Sequence, residues 1–588
     1  MKKRLISLFV ALTMLLCLIP AAFAATFNAG TYTASANGMN GAVTVDVTFS
    51  DGALTDVKVT EQAETPAIAS GALEQIPADI VAHQTLAVDT VTGATITSKA
   101  ILAAVEDCVK QAGADPDTLR TPVEKNTADV GDRTAHVEVL VIGGGGTGLA
   151  AAMSAMDNGA KDVMVVEKLS RFGGSTSVSG AVVAAENTYY TQSIGLEPNS
   201  EVWLEEWKAS SDSDIGVLGK DPGYPTYERV SNYFTQVGET VNWLEDKGVA
   251  HWVTYPFFPN GRYQVPDYVI DSETGAADPE GGYMLIDHMV DWLKNHDADL
   301  RLSTTGTKLL TNAAGDVIGA TVQDASGSYD VYASRGVVLA TGGFAASEPM
   351  MREYLPQLAD RIARPPAGAG GAGGVFYNDP YVITLGSTSR NGSIAGFCMS
   401  VNLWGRMVVN SKAQRFFNEG YMPYQATVAL SRTEDGIAWA LGDSKFAGAA
   451  LLDAAVDGTE VVKADTIEEL AALMGVDADT LVKSVETYNT ACATGNDTEF
   501  GKDASNLTAI DAAPYYAVRI YVCTGGTIAG VKTNLDFQVL REDGSVINGL
   551  YAGGETSNRE MYAYAYSSGS GVGYALASGR QIGMNLMK

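Results

Sequence analysis

Cysteine and histidine are scarce in this chain of 588 residues, which contains five of each. No two cysteines form a Cys-x-x-Cys pair. This spacing excludes a disulfide framework and offers no haem or zinc motif, so we expect no metal site. We expect the cysteines after residue 100 to pack as small apolar side chains, and the five histidines to lie on the surface or in the core.

Basic residues are also few, with 39 Lys and Arg against 69 Asp and Glu, for a formal net charge of −30. Binding to phosphate backbones needs basic patches, which this balance does not favour. We therefore expect no nucleic acid partner. Strong acidity is compatible with solubility outside the cell.

A strongly apolar run stands only at the N-terminus, in residues 1–24. Lys2-Lys3-Arg4 precedes the apolar stretch Leu5–Pro20, and Ala22-Phe23-Ala24 follows it. This order is typical of a secretory signal, and the run is shorter than the ~20 residues that a membrane-spanning helix needs. We expect export to the periplasm, cell surface or medium, with a mature chain that begins near Ala25.

Residues 25–112 predict a small α+β domain. Alternating apolar residues indicate three half-buried strands, around Tyr32, over Val43–Phe49 and over Leu54–Val59. Helical periodicity follows around Ile68–Ile80 and from Ser98 to Gln111, where Ser98 stands as a possible N-cap.

The segment between the two predicted helices reads Asp89-Thr90-Val91-Thr92-Gly93-Ala94-Thr95. It resembles the Asp-x-x-Thr-Gly-Ala-Thr motif of the FMN-binding domain found in sodium-pumping quinone reductases and extracellular flavoprotein reductases. The resemblance implies FMN covalently joined through its phosphate to Thr95 by a dedicated flavin transferase. Small residues before Thr95 and a nearby helix N-terminus suit a phosphodiester.

Residues 113–135, rich in Pro, Asp and Thr, indicate a linker, and a second nucleotide-binding pattern follows it. The strand Val137–Ile142 runs into Gly143, Gly145 and Gly148, and the next strand ends at Glu167 and Lys168. Glycines at this spacing permit a tight turn and close approach to a pyrophosphate, and Glu167 stands where a carboxylate reaches a ribose hydroxyl. We expect Glu167 and Lys168 to contact the cofactor.

Three further segments distinguish FAD from NAD. They resemble the fumarate reductase and succinate dehydrogenase flavoprotein superfamily, in which distant segments span a non-covalent FAD. The residues that this resemblance implies are Gly173, Gly174, Ser175, Thr176, Ser179 and Gly180, then Thr341, Gly342 and Gly343, and finally Gly554, Glu555, Ser570 and Gly571.

The fold class implied is α/β and α+β multidomain. A Rossmann-like FAD-binding domain with an inserted α+β cap domain follows the small α+β FMN-binding domain. The predicted boundaries are 136–376 for the first part of the FAD-binding domain, 377–523 for the cap and 524–588 for the second part.

Arg415, in Gln414-Arg415-Phe416-Phe417-Asn418-Glu419, resembles the superfamily's catalytic arginine, which implies a proton donor. Reduction of an activated C=C bond needs hydride on one carbon and a proton on its neighbour. A guanidinium is a weak acid, so Arg415 would need its proton replaced in step, or would mainly stabilise developing charge. A structural ion pair with Glu419 is the alternative.

The dicarboxylate clamp of the fumarate enzymes is missing. Gly525-Gly526-Thr527 stands where those enzymes have His-His-Thr, and Tyr566–Gly571 replaces their second arginine, so fumarate is not the expected substrate. By its position, Gly526 is a candidate for contact with the substrate. Tyr562, Tyr564 and Tyr566 alternate and would share one face of an extended segment. They suit a larger substrate with a carbonyl or a ring, or they pack structurally.

The sequence therefore predicts an exported reductase of an α,β-unsaturated carboxylate or ketone in anaerobic respiration, fed by a membrane-associated or extracellular electron donor. Two alternatives remain open. One is a dehydrogenase of the ketosteroid Δ1-dehydrogenase type, and the other is an electron carrier without catalysis.

Overall fold

The computed structural model describes residues 27–38, 41–64, 66–88, 90–91, 94–121, 133–218, 223–256, 260–278, 281–345, 347–354, 362–364, 381–383, 407–420, 429–430, 432–446, 449–456, 458–523, 526–563 and 567–588. The chain forms two compact units, one up to Asn126 and one from Thr127. None of the described helices has the length and apolar character needed to cross a bilayer. The predicted signal segment, residues 1–24, lies outside the described residues.

The first unit is a three-stranded antiparallel sheet covered by two helices. Its strands pair in the order β1-β2-β3, and alternate β2 residues such as Val43 and Val45 are fully buried. Ile101 and Val105 of the second helix pack into the same core. The predicted strands and helices are confirmed, with bounds β1 Gly30–Asn37, β2 Ala42–Phe49, β3 Leu54–Glu61, α1 Pro66–His83 and α2 Thr95–Gln111, followed by a 3-10 turn Pro116–Leu119.

The predicted start of α2 near Ser98 is wrong, because the helix begins at Thr95 with Ala94 at its N-cap position. Ser98 instead lies inside the first turn. Its Oγ donates to the Ala94 carbonyl at 2.9 Å and accepts from the Val91 N–H at 3.1 Å. A serine that bonds the carbonyl four residues earlier can sit in the helix itself.

An eight-stranded mixed sheet organises the second unit. Its main order is β10-β11-β12-β4-β5-β9, with β21 beside β12 and β20 beside β21. The pairs β12–β4, β4–β5, β5–β9 and β12–β21 are parallel. Central parallel strands are apolar on both faces, as in the wholly buried Val163–Val166. The bounds are β4 Thr134–Ile142, β5 Val163–Val166, β9 Asp299–Arg301, β10 Thr305–Thr311, β11 Val317–Asp324, β12 Gly327–Leu339, β20 Gln538–Leu540 and β21 Val546–Ala552.

Two helices pack closely beside this sheet, α3 (Gly146–Asp157) and the C-terminal α13 (Ser570–Leu586). A Cβ at Gly583 would lie 2.6 Å from the Ala151 carbonyl oxygen, so the helices approach closely where α13 has glycine. The other elements around the sheet are α4 Gly174–Ser177, β6 Val183–Ala184, α5 Tyr189–Ser193, α6 Ser200–Leu218, α7 Tyr227–Asp246, β7 Trp252–Thr254, β8 Tyr263–Pro266, α8 Gly282–Asn295 and α9 Glu348–Tyr354, with β6, β8 and β7 forming a small sheet.

A second sheet has the order β13-β18-β16-β15 with β17 beside β18, and all of these strands except β13 fall within the predicted cap. Its two faces bury separate apolar clusters, one with Val408 and Ala440 and the other with Met407 and Leu441. The bounds are β13 Ile362–Arg364, β15 Met407–Asn410, β16 Ile437–Asp443, α10 Ala449–Ala455, β17 Val461–Ala464, α11 Ile467–Met474, α12 Ala478–Thr494 and β18 Tyr515–Cys523, and a separate pair joins β14 (Tyr381–Ile383) to β19 (Gly526–Ile528). β13 precedes the predicted boundary at 376/377 although it pairs with β18, and the boundaries stay a prediction.

Candidate flavin sites

The turn after β4 has the geometry of a nucleotide-binding turn. Gly143 has φ +107°, and a Cβ there would overlap the backbone of Ala340. A Cβ at Gly148 would overlap the Gly143 carbonyl oxygen. A Cβ at Gly145, by contrast, would meet no described atom closer than the Gly173 carbonyl oxygen at 3.5 Å. Two of the glycines are therefore required by protein packing, whereas Gly145 leaves space beside the N-terminus of α3.

The segment from Gly173 to Gly180 lies next to that turn. Gly173 N–H donates to the Gly144 carbonyl at 2.8 Å, and Gly146 N–H donates to Thr176 Oγ1 at 3.3 Å. Gly174 and Ser175 begin the short helix α4. The residues predicted around Gly145 and Gly173 are therefore neighbours and form one wall of the candidate FAD site. Ser175, Thr176, Ser179 and Gly180 are all partly exposed there.

The Glu167 carboxylate stabilises the same turn by accepting hydrogen bonds from backbone N–H groups. Its Oε2 accepts from Gly144 N–H at 2.8 Å and its Oε1 from Leu169 N–H at 2.9 Å. Burial raises the pKa of Glu167 despite these bonds, and burial lowers the pKa of the neighbouring Lys168, against the attraction of Glu167. Each carboxylate oxygen has a further lone pair that a ribose hydroxyl would use. The predicted ribose contact stays a prediction.

Glu555 joins three segments that are far apart in the chain. Its Oε1 accepts from Thr527 N–H at 2.5 Å and from Thr527 Oγ1 at 3.2 Å. A Cβ at either Gly343 or Gly526 would overlap the Glu555 carboxylate, so glycine at both positions admits this side chain. Removal of the carboxyl group from water raises the pKa of Glu555 to about 7.

The turn at Thr341–Gly343 follows β12 and completes the wall. Gly342 has φ +72°, and its carbonyl accepts from Thr556 Oγ1 at 3.3 Å. Thr341 Oγ1 is buried and has no hydrogen-bond partner within the described part of the chain. Buried hydroxyls nearly always have a partner, so this donor calls for a ligand or water.

The C-terminal segment returns to the same region. A Cβ at Gly554 would overlap the Thr147 hydroxyl of α3, and Ser570 and Gly571 begin α13.

Tyr562 is buried, its ring stacks on Trp207 with centroids 6.0 Å apart, and its Oη lies 2.7 Å from Ser570 Oγ. Tyr564 and Tyr566 lie outside the described residues. Contact between substrate and Tyr562, Tyr564, Tyr566 or Gly526 stays a prediction.

These residues fit FAD. Gly145 leaves room for a phosphate beside a helix N-terminus. Thr341 offers a buried hydroxyl that has no hydrogen-bond partner among the described residues. Glu167 and Glu555 add acceptors for hydroxyl groups. When bound, FAD supplies hydride transfer, and the chain supplies the contacts that hold it.

Arg415 lies in a cluster of polar and charged side chains in the predicted cap, all buried except the exposed Glu499. We call it the cap cluster: Arg415, Glu419, Tyr488, Asp497, Glu499 and Lys502. Nε and Nη2 of Arg415 donate to the two Glu419 oxygens at 2.9 and 2.8 Å. Nη1 and Nη2 donate to Asp497 at 3.1 and 2.9 Å, and Nη1 also donates to Glu499 at 3.3 Å. Each of the five guanidinium N–H groups therefore has a carboxylate acceptor.

The alternative structural pairing of Arg415 with Glu419 is present. Burial would lower the pKa of Arg415, but its bonds to Glu419 and Asp497 outweigh that effect and raise it. As a proton donor, Arg415 would have to release an N–H from a carboxylate. That role stays a prediction.

Lys502 is the second buried cation of the cap cluster, with Nζ 3.0 Å from Tyr488 Oη and 3.6 Å from Glu419 Oε2. Burial lowers the pKa of Lys502 to about 8, although Glu419 opposes the shift. Burial would raise the pKa of Asp497, but Arg415 holds it down at about 2. Two buried cations thus face two buried carboxylates, Glu419 and Asp497.

In the first unit, Thr95 is the first residue of α2, and its side chain lies outside the described set. Thr97, two residues on, is buried, and its Oγ1 donates to the buried Glu64. The Thr97 hydroxyl is therefore already hydrogen-bonded to Glu64, and the Ser98 hydroxyl is hydrogen-bonded to backbone groups. Covalent attachment at Thr95 stays a prediction.

Sequence reasoning did not assign a role to Thr527, Asp497 or Lys502. Thr527 follows the glycine pair that replaces the histidine clamp, which was the available signal. Asp497 lies 82 residues from Arg415 in sequence, and no local pattern links the two.

The chain belongs to the FAD binding domain family, whose model matches residues 138–572. The FMN-binding domain model matches residues 38–110. The protein is accordingly a fumarate reductase-like flavoprotein oxidoreductase with sites for FAD and FMN, and the predicted fold class is confirmed.

Two curated relatives extend the match across both domains. Urocanate reductase of Eggerthella lenta is 28% identical over 92% of this chain and 89% of its own length. NADH:acrylate oxidoreductase of Vibrio harveyi is 27% identical over 90% of this chain but only 58% of its own length. Both relatives are named as oxidoreductases of unsaturated compounds.

Among solved structures, the open conformation of a flavocytochrome c3 fumarate reductase matches with a TM-score of 0.60 and 25% identity, over 77% of this chain and 78% of that one. The 3-ketosteroid delta1-dehydrogenase of Sterolibacterium denitrificans matches with a TM-score of 0.64 and 23% identity, over 77% and 99% of the two chains. The second likeness shows the fold alone.

Proposed function

We propose that this protein is an exported reductase of the C=C bond of an α,β-unsaturated carboxylate or ketone, and that it acts as a terminal reductase in anaerobic respiration. The similarity to urocanate reductase over 92% of the chain supports it most, because it spans both flavin domains. We expect electrons from a membrane-associated or extracellular donor to enter at the FMN-binding domain and to leave at the FAD-binding domain.

Residues of the chain bind the cofactor and supply the proton donor that the proposed reaction needs. The glycine turn, Glu167 and Glu555 bind and orient FAD. A reductase also needs a proton donor on the opposite face of the substrate. If Arg415 has that role, the carboxylates of the cap cluster must return its proton.

Dye-dependent reduction of a panel of unsaturated acids, enones and steroids tests the proposal on the purified protein. We expect at least one class to be reduced, with no reduction by a Gly145→Ala variant that lacks FAD. A preference for oxidising saturated substrates would favour a dehydrogenase, a reading supported by the 26% identity to 4-oxocyclohex-2-ene-1-carboxylate 5-dehydrogenase of Sinomonas cyclohexanicum. No turnover in either direction would favour an electron carrier.

We also propose that FMN is attached covalently to Thr95 by a flavin transferase. Intact-protein mass spectrometry after denaturation should find an FMN adduct on the wild type and none on Thr95→Ala. Thr97→Val is the matched control, because Thr97 is engaged with Glu64, and it should keep the adduct. An adduct that persists on Thr95→Ala would place the site elsewhere. The same spectra test export, since cleavage near Ala25 gives a defined mass in protein from the native host.

A further inference from the structure

The segment Asn558–Ala563 connects the Glu555 site to the residues before α13, and its neighbours fix it in several places. Asn558 Nδ2 donates to the Thr527 carbonyl at 2.9 Å, and Asn558 Oδ1 accepts from Ala529 N–H at 2.9 Å. The Met561 carbonyl accepts from Trp207 Nε1 at 3.1 Å. These bonds tie the segment to β19 and to α6.

Arg559 is the centre of this segment and is fully buried. Its Nη1 donates to the carbonyls of Tyr562 at 2.8 Å and Ala563 at 3.2 Å. Its guanidinium lies over the Tyr224 ring, 4.2 Å from the centroid. A planar guanidinium can bridge two carbonyls while stacking on a ring, whereas a lysine ammonium is a point charge on a flexible stem.

Tyr562 carries this constraint to α13. Its main chain is held by Arg559, its ring by Trp207, and its hydroxyl by Ser570 Oγ at 2.7 Å. Ser570 is the first residue of α13 and is fully buried. A chain of contacts therefore runs from Arg559 through Tyr562 to the helix end predicted to contact FAD.

We propose that Arg559 is a positioning residue that fixes the N-terminal end of α13 against the FAD site by holding the main chain of Tyr562 and Ala563. Tyr562 is also predicted to contact the substrate, so the same contact would affect substrate binding. This last consequence rests on the proposed function, whereas the effect on FAD does not.

Arg229 provides a matched control, because it is equally buried and also lies over a ring, 4.8 Å from the Phe537 centroid. Its acceptors are the Glu560 carboxylate at 3.2 Å, the carbonyl and hydroxyl of Thr533 at 3.1 Å and the Asn534 carbonyl at 2.8 Å. Arg229 therefore contacts a side chain of the segment but not the main chain of Tyr562 or Ala563. A general loss of stability should affect Arg229→Lys and Arg559→Lys alike.

The test measures thermal unfolding, the FAD dissociation constant and the visible circular dichroism of bound FAD on the full chain. We expect both lysine variants to lower Tm, but only Arg559→Lys to raise the FAD dissociation constant, roughly tenfold, and to change the dichroism, because one to two buried hydrogen bonds are lost. Equal Tm losses with FAD binding and dichroism unchanged in Arg559→Lys would overturn the proposal.

Tyr562→Phe keeps the inference testable if Arg559→Lys does not fold, since it removes only the hydroxyl bonded to Ser570. We expect a smaller weakening of FAD binding, roughly threefold. No change in FAD binding would overturn the proposal. If the substrate panel yields an acceptor, Arg559→Lys should raise KM relative to Arg229→Lys. If it yields none, the proposed function fails while the FAD measurements still decide the role of Arg559.

Discussion

The FAD site and the cap cluster each contain a carboxyl group that is shielded from water, yet the pKa is raised in one and lowered in the other. Glu555 is enclosed by Gly343, Gly526 and Thr527, and its pKa rises to about 7. Asp497 is buried and accepts two hydrogen bonds from Arg415, and its pKa falls to about 2. Burial alone does not set the charge of a carboxyl group, because the nearest cation can outweigh the loss of water.

The difference suits the two regions to different tasks. A carboxyl group whose pKa is near 7, such as Glu555, can donate or accept a hydrogen bond at a cofactor. The buried part of the cap cluster, two cations and two carboxylates, holds separate segments of the predicted cap together. Such a cluster costs desolvation and is costly to break by removing one partner.

The largest expected effect comes from removing the central cation of the cap cluster. Arg415→Met leaves Glu419 and Asp497 with Lys502 as their buried cation, and it should lower the free energy of unfolding by about 3–5 kcal/mol. Chemical denaturation measures this change, and Lys412→Met, at an exposed ion pair with Glu434, is the control. Unchanged stability together with lost turnover would instead assign Arg415 to proton donation.

The next effect concerns Glu555 and its dependence on pH. Its pKa is raised from the usual 4.5 to about 7, so its contribution to stability is fully present below pH 4.5 and is lost as pH rises through 7. Glu555→Gln should remove this loss, which is on the order of 3 kcal/mol. Denaturation of FAD-free protein from pH 4 to 8 measures it, and an unaltered slope in the variant would contradict the shift.

Lys502 should produce the opposite slope at higher pH. Its pKa is lowered from 10.5 to about 8, so the unfolded chain binds more protons between these values and stability rises with pH across them. The expected rise is roughly 2–3 kcal/mol. Lys502→Met should abolish it, and the test fails if the variant keeps the same alkaline rise. Lys483→Met on partly exposed α12 controls for loss of a lysine.

The smallest effect on stability is expected at Gly145, where a methyl group meets no described atom within 3.4 Å. Gly145→Ala should change the free energy of unfolding of the FAD-free protein by about 0.5 kcal/mol or less, while FAD is lost on purification. Gly148→Ala should destabilise the FAD-free chain itself, because its Cβ overlaps the Gly143 carbonyl. Flavin absorbance and denaturation compare the two, and FAD retained by Gly145→Ala would refute the assignment.

Much of the fold could be predicted where the signal is local. The alternation in Val43–Phe49 and the periodicity of Ile101 and Val105 predicted their elements correctly, because strand and helix periods are visible in short windows. The start of α2 was missed by three residues. Ser98 is an equally good cap or first-turn residue, and only the tertiary position of Ala94 distinguishes the two.

The sequence by itself determined the two flavin-binding domains, because glycine turns and strand-helix patterns are written in consecutive residues. It could not decide what surrounds Arg415, whose partner Asp497 comes from a distant part of the chain, or that Glu555 would meet both Gly343 and Gly526. Those neighbours are brought together by the packing of separate segments. The charge of a buried side chain depends on its neighbours in space, so only the tertiary structure decided it.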